Sequence, residues 1–209
     1  MTDRDPPSPP AAPAADPRPA VAAHAALGQP SPWLVRWRHL IRPAGTVLDL
    51  ACGSGRHVRW LASAGHAVTG VDRDAAAVEP LRQIARIVVA DVEGGPWPLE
   101  GERFDAVIVT HYLWRPLWPR ILASIAPGGV LLYETFAQGN ETVGKPSRPD
   151  FLLQPGELLR SVGGLRIVAF EDGFLEAPPR FIQRIAARHE APTPSAQPPR
   201  HPLEPGEAR

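Results

Sequence analysis

The chain has 209 residues, Lys plus Arg and Asp plus Glu balanced at 22 each, 27 prolines and one cysteine. A zero net charge does not indicate a strongly electropositive nucleic-acid binder, and a lone thiol excludes an internal disulfide and a cysteine zinc cluster; no metal site is expected. No apolar run is long enough to cross a membrane, and the first residues lack the basic-then-apolar order of a signal peptide, so a soluble, cytoplasmic protein is expected.

Nine prolines lie between Met1 and Pro32, and six more between Ala191 and Arg209. Stretches this rich in Pro and Ala, with few large apolar residues, cannot bury enough surface to offset the entropy of ordering them. Residues 1–30 and 191–209 are therefore expected to be flexible tails around one domain, residues 31–190. Ser31 and Pro32 suit the cap and first position of a helix, and apolar residues at 33, 34, 37, 40 and 41 continue its stripe. Residues 46–50 (TVLDL) read as a strand running straight into Ala51-Cys52-Gly53-Ser54-Gly55. A helix over 56–64 follows, closed by Gly65. A second strand over 67–71 ends at Asp72, a helix spans 74–84, and a third strand over 87–90 ends at Asp91.

After a loop containing Gly94-Gly95-Pro96-Trp97-Pro98, residues 104–110 (FDAVIVT) form the fourth strand. A helix over 116–125 stops at Pro127-Gly128-Gly129, and residues 130–134 (VLLYE) are the fifth strand. A polar loop, 136–149, and a short helix, 154–162, precede two closing strands, 165–170 and 181–187, with no helix between them. Strands alternating with helices predict an α/β fold, a mostly parallel sheet with helices on both faces. The closing pair predicts an antiparallel hairpin at one edge.

The chemistry concentrates where the first strand meets its glycine turn. Gly53 and Gly55 carry no side chain to hold a ligand away from the backbone. Asp72 ends the next strand, where a carboxylate can accept from ribose hydroxyls, and Asp91 ends the third in the equivalent place. Asp49, Asp72 and Asp91 thus mark the carboxyl edge of three successive strands, where open α/β sheets bind ligands. A dinucleotide fingerprint needs a third glycine where Val58 stands. Asp49 would repel a pyrophosphate and suits a cationic ligand, a sulfonium bearing an amino group. That charge argument favours S-adenosylmethionine over NAD.

With these residues in hand, the sequence resembles the class I S-adenosylmethionine-dependent methyltransferases over roughly residues 31–190. VLDLACGSGRH is similar to their first motif, VTGVDRD to their second-strand acidic motif and IAPGGVLLYETF to their fifth-strand motif. Within the class, YETFAQGNETVGKPSRPDFLLQPGELL resembles small bacterial members related to the tellurite-resistance methyltransferases. The resemblance implies a Rossmann-like sheet of seven strands, the last antiparallel. It places Asp49, Gly53 and Gly55 along the methionine side of the cofactor, Asp72 at the ribose, and Asp91 with the Val92 backbone at the adenine, and it counts Ala51 among the cofactor-binding residues.

Acceptor-facing residues should follow strands four and five. His111 is a candidate proton acceptor and Tyr112 a candidate wall beside the methyl donor; a hydrogen-bonded structural histidine is the alternative for His111. Arg115 either caps the next helix or holds a carboxylate, and Asp105, at the entering end of its strand, reads as a turn-stabilising residue. Trp97 is a candidate adenine-side wall, and Cys52 a small filler rather than a nucleophile. The polar loop 136–149 is a candidate lid. A small-molecule acceptor fits the neutral charge. An RNA- or protein-directed methyltransferase, using arginines 36, 38, 42, 56 and 59, and a non-catalytic cofactor-binding module are the alternatives. Nothing in the sequence sets an oligomeric state.

Overall fold

The computed structural model describes residues 28–190 and 199–205. Most of the two proline-rich stretches, residues 1–27, 191–198 and 206–209, lies outside the described residues.

Seven strands form one sheet: β1 (Thr46–Leu50), β2 (Ala67–Asp72), β3 (Arg86–Val89), β4 (Phe104–Thr110), β5 (Ile125–Phe136), β6 (Arg166–Glu176) and β7 (Pro179–Arg188), in the order β3-β2-β1-β4-β5-β7-β6. The first five are mutually parallel. β7 runs antiparallel to both neighbours, and β6 closes the edge. In register, Asp49 sits between Gly70 and Ile108 at the centre of the sheet.

Side chains of a strand alternate between faces, and here each face has its own core. Leu48, Leu50, Val107, Val109, Leu131 and Tyr133 pack on one side. Val47, Ala106, Ile108, Val130 and Leu132 pack on the other, beneath Trp33, Leu34 and Trp37 of α1 (Pro32–Trp37). The Ser31 hydroxyl starts α1 by accepting the Trp33 N–H at 3.1 Å, and Pro32 fills the first position, where no N–H is needed. Fully burying tryptophans on this scale makes each worth about 3–5 kcal/mol against alanine.

Local chemistry explains where elements differ from expectation. α2 (Arg56–Ser63) holds its expected place, but the helix expected over 74–84 is only α3 (Ala75–Val78) followed by a 3₁₀ turn, Glu79–Leu81. Pro80 has no N–H to give and its ring crowds the preceding turn. α4 (Trp118–Ala123) likewise begins after a 3₁₀ turn, Arg115–Leu117, that carries Pro116. α5 (Glu157–Ser161) starts only after Gly156, whose φ is +65°. β5 begins earlier than expected, because residues 126–129 bulge out between the pairs Phe104–Ile125 and Ala106–Val130. The closing hairpin is longer than expected. Glu171 pairs opposite Arg184 and Phe174 opposite Phe181, so polar residues that read as loop are carried into the ladder. The Phe174 and Phe181 rings lie 4.8 Å apart.

Candidate cofactor and acceptor site

At the carboxyl edge of β1 the chain turns sharply. Ala51, Gly53 and Gly55 all have left-handed backbones, at φ +54°, +54° and +79°. At Gly55 a Cβ would fall 2.3 Å from Leu81 Cδ1, so only glycine fits. At Gly53 a Cβ would meet nothing within 4 Å; its bare face opens onto free space where a ligand can reach the backbone. Asp72 fixes this turn from β2. One carboxylate oxygen accepts the Gly53 N–H at 2.7 Å and the other the Asp74 N–H at 3.0 Å.

Asp49 is 1% exposed, and neither of its carboxylate oxygens has a hydrogen-bond partner among the described residues. A buried, unpaired carboxylate costs several kcal/mol, so this group calls for a cationic donor. Its neighbour His57, equally buried, does not supply one. The Ser31 backbone N–H donates to His57 Nε2 at 3.1 Å, which requires that nitrogen to be bare. The ring proton therefore sits on Nδ1, 3.3 Å from Thr110 Oγ1 and 3.9 Å from Asp49 Oδ1. The donor set fits an α-ammonium arriving at Asp49.

A cavity of about 200 Å³ opens beside the glycine turn, lined by Ala51, Val71, Asp72, Arg73, Ala90, Asp91, Val92, Glu93 and Tyr112. It brings together Ala51, Asp72, Asp91, Val92 and Tyr112 of the sequence-derived set. Asp91 lies just past β3, where its Oδ1 accepts the Glu93 and Gly94 N–H groups at 3.0 and 3.3 Å. Those two backbone bonds hold its carboxyl below the ordinary range. The Tyr112 hydroxyl is buried without a partner, and burial followed by the nearby Glu93 carboxylate pushes its pKa up. Arg73 and Glu93 were missed by sequence reasoning; their only signal is that each directly follows a cavity residue.

A larger chamber, about 570 Å³, lies on the other side of His111. It is walled by residues 29–32, by Arg56, Glu134 and Phe136, by Asn140, Gly144 and Lys145 of the polar loop, and by hairpin-tip residues 177–180. Asn140 pins the loop, donating to Pro146 O at 3.0 Å and accepting the Phe181 N–H at 3.2 Å. His111 has the left-handed φ of +54°, a strained geometry for a non-glycine residue. Its ring lies over Phe136 at 4.9 Å, Nδ1 faces Arg56 Nη2 at 3.5 Å, and buried Nε2 has no hydrogen-bond partner. Burial, then the charges of Arg56 and Arg180, push its pKa down to about 4. His111 is thus neutral at pH 7 but a weak base.

Glu134, at the end of β5, is 1% exposed and already engaged. It accepts from Ser31 Oγ at 3.0 Å and from Arg184 Nη1 at 3.3 Å. The segment before α1 is thereby tied to the sheet at the mouth of the chamber. Glu134, Arg56, Ser31 and Arg180 converge from four separate stretches of chain. The end of strand five, Glu134 to Phe136, was expected on the acceptor side, Arg56 was noted only among the arginines of the RNA- or protein-directed alternative and Ser31 only as a helix cap, and Arg180 was not anticipated. Arg115 resolves as a clamp: it holds Glu157 with two bonds, 2.7 and 2.9 Å, and donates to Asp150 O and Leu152 O at 2.8 and 2.9 Å. Asp105 ties the start of β1, accepting from the Thr46 N–H and hydroxyl and from Arg42 at 2.8–3.0 Å.

Trp97 does not reach the adenosine-sized cavity. It packs partly buried against the core and lines a separate recess with Leu99 and Arg120, because its loop turns back along the far end of β4. Cys52 is buried, and burial with the charges of Asp49 and Asp72 raises its pKa, leaving an inert thiol. Among the described residues no cluster of His, Cys, Asp and Glu could hold a metal ion, and no helix is long and apolar enough to cross a membrane.

Residues 47–128 match a family described as methyltransferase domain, a span that includes the glycine turn, Asp49, Asp72 and Asp91. No curated protein matches the sequence. Among solved structures, TehB from Haemophilus influenzae is similar at 18% identity and a TM-score of 0.59; the match covers 70% of this chain and spans only 58% of that one. A TehB-like S-adenosylmethionine-dependent methyltransferase from Corynebacterium glutamicum is 20% identical, with 81% and 94% of the two chains covered and a TM-score of 0.59. An S-adenosylmethionine-dependent methyltransferase from Mesorhizobium loti is 18% identical, with 78% and 99% covered and a TM-score of 0.60.

Proposed function

We propose that this protein is an S-adenosylmethionine-dependent methyltransferase that transfers the methyl group to a small-molecule acceptor held in the chamber beside His111. The orphaned carboxylate of Asp49 carries the cofactor part of the reading. It takes the α-ammonium of the methionyl end, with the bare Gly53 face beside it and Ala51 and Gly55 shaping the turn. Asp72 keeps lone pairs free for ribose hydroxyls after bonding two backbone N–H groups. Asp91 and the Val92 backbone sit at the adenine end, and Tyr112 closes the cavity. When bound, the cofactor supplies a methyl carbon activated by a positive sulfur, so the protein's work is positioning and electrostatics.

On the acceptor side, His111 separates cavity from chamber, and both His111 and Tyr112 line a further recess of about 250 Å³ between them. A neutral ring at this junction shapes the path and can accept a hydrogen bond. A small acceptor suits a chamber of this size better than a polymer. It also suits the surface, where Arg36 and Arg42 are committed to Glu171 and Asp105 rather than left for phosphates. The lone thiol is in keeping with a cytoplasmic enzyme. Calorimetric titration with S-adenosylhomocysteine tests the cofactor reading: micromolar binding by the wild type is expected, and no heat at high protein concentration would overturn it.

A further inference from the structure

The acceptor chamber contains more positive charge than the protein balances. Arg56 enters from the first turn of α2, Arg180 from the hairpin tip and Lys145 from the polar loop. Two other half-buried arginines near the site are matched, Arg115 by Glu157 and Arg184 by Glu134 and Glu171. Among the described residues, Arg56 has only the His111 ring within hydrogen-bond reach, and the buried Arg180 Nε has no partner at all. Burial pushes the Arg56 pKa down, the carboxylates of Glu134 and Asp49 act against that, and the Arg180 charge adds a smaller push down, so the two guanidinium groups feel one another. Among the described residues Glu134 is the one acidic side chain lining the chamber, and Arg184 with Ser31 already occupies it. Partly desolvated like charges facing one another without a counter-ion are unfavourable unless an anion joins them.

Phe136 and the prolines at 30, 32, 178 and 179 give the chamber an apolar wall, beside the polar Gln29, Ser31 and Asn140. We infer that the methyl acceptor is an organic carboxylate, its charged end held between Arg56 and Arg180 with Lys145 nearby and its apolar body lying against the proline and phenylalanine walls. This rests on the methyltransferase reading. Guanidinium groups match a carboxylate in plane and can donate in pairs. A carboxylate also needs no strong base, in keeping with the weak basicity of His111. Its oxygen forms the new bond to the methyl carbon, the sulfur keeps the electrons of the broken S–C bond, and no proton has to leave. The sulfonium and carboxylate charges are neutralised together.

The test is a calorimetric titration of the full chain with benzoate and, as controls of like shape, benzamide and phenyl phosphate, each with and without S-adenosylhomocysteine. Benzoate should bind, benzamide at least about tenfold more weakly, and Arg180→Gln should weaken benzoate about tenfold or more while Arg180→Lys restores part of it. Equal binding of benzamide, binding of phenyl phosphate alone, or an unchanged Arg180→Gln would overturn the inference. Thermal melts of each variant identify any that fail to fold, and Lys145→Gln, on an exposed residue, provides a second charge deletion expected to weaken benzoate. Comparing S-adenosylhomocysteine with 5′-methylthioadenosine, which lacks the amino-acid end, separates the sources of carboxylate. If Arg180→Gln and Arg56→Gln weaken only the former, the guanidinium groups serve the cofactor, and the acceptor inference falls. Failure of the cofactor analogue to bind would overturn the functional reading instead, which the benzoate titration without it distinguishes.

Discussion

Asp49 is held in a state that costs the empty protein stability. Among the described residues its two oxygens lie buried without hydrogen-bond donors, and His57 Nδ1 stands 3.9 Å from Oδ1. Asp49→Asn should therefore leave the thermal midpoint of the cofactor-free protein unchanged or higher, while weakening S-adenosylhomocysteine by about 1.5–3 kcal/mol, the range for a hydrogen bond to a charged group. Melts with and without the ligand measure both halves. His111 gives a pH signature. Its folded pKa of about 4 lies below the ordinary 6.5, so the unfolded chain binds more protons between those values. Stability attributable to His111 is intact above about pH 6.5 and falls as the pH drops toward 4. Replacing it with Asn should make the protein more acid-tolerant than the wild type by up to about 2–3 kcal/mol at pH 4 relative to pH 7, read from urea melts. The three aspartates were legible in the sequence because each ends or lies within a strand and needs only local order to be placed. Glu134 was legible only as the end of strand five, and Arg180 was not, since nothing local to it says that it faces the same chamber.

Among the elements, strands β1 and β4 were readable to the residue, as buried parallel strands are near-continuous apolar runs. The helices were readable in position but not in length, because Pro80, Pro116 and Gly156 act through backbone geometry that apolar spacing does not report. The loop following β5 illustrates how distant residues fix an element. Arg115, at the exit of β4, grips Glu157 and two carbonyls across the start of α5. Burial would raise the Glu157 pKa, but the Arg115 bonds and the Gln154 N–H outweigh it and hold it low. This contribution is present above the ordinary carboxylate pKa and lost as the pH falls through the depressed one. Arg115→Leu should cost about 1–3 kcal/mol at pH 7, discounted for the arginine's partial exposure, with a smaller cost in acid; paired denaturant melts decide it. At the other end, removing residues 1–28 should leave S-adenosylhomocysteine affinity unchanged. Removal through Pro32 should lower stability by losing the Ser31 bonds to His57 and Glu134, which a melt of both truncations would separate.

Across the whole molecule, the insertion of β7 between β5 and β6 links the ends of the domain in space. The Trp33 indole N–H donates to Ile185 O at 3.2 Å, and the Arg184 guanidinium lies 4.8 Å from the centre of the Trp33 ring while bonding Glu134. α1, β5 and β7 thus meet beside the wall of the chamber. During synthesis the chain emerges from its amino end, and pairings between distant segments form late. A nascent chain that has released β1 to β4 already has the segments that form the glycine turn and the aspartate edge. It still lacks the strand that seats Arg184 and the hairpin tip that carries Arg180. On the proposed function, the segments of the donor site and those of the acceptor chamber therefore leave the ribosome at separate times: a chain released only through β4 has the residues assigned to the donor but not the chamber assigned to the acceptor.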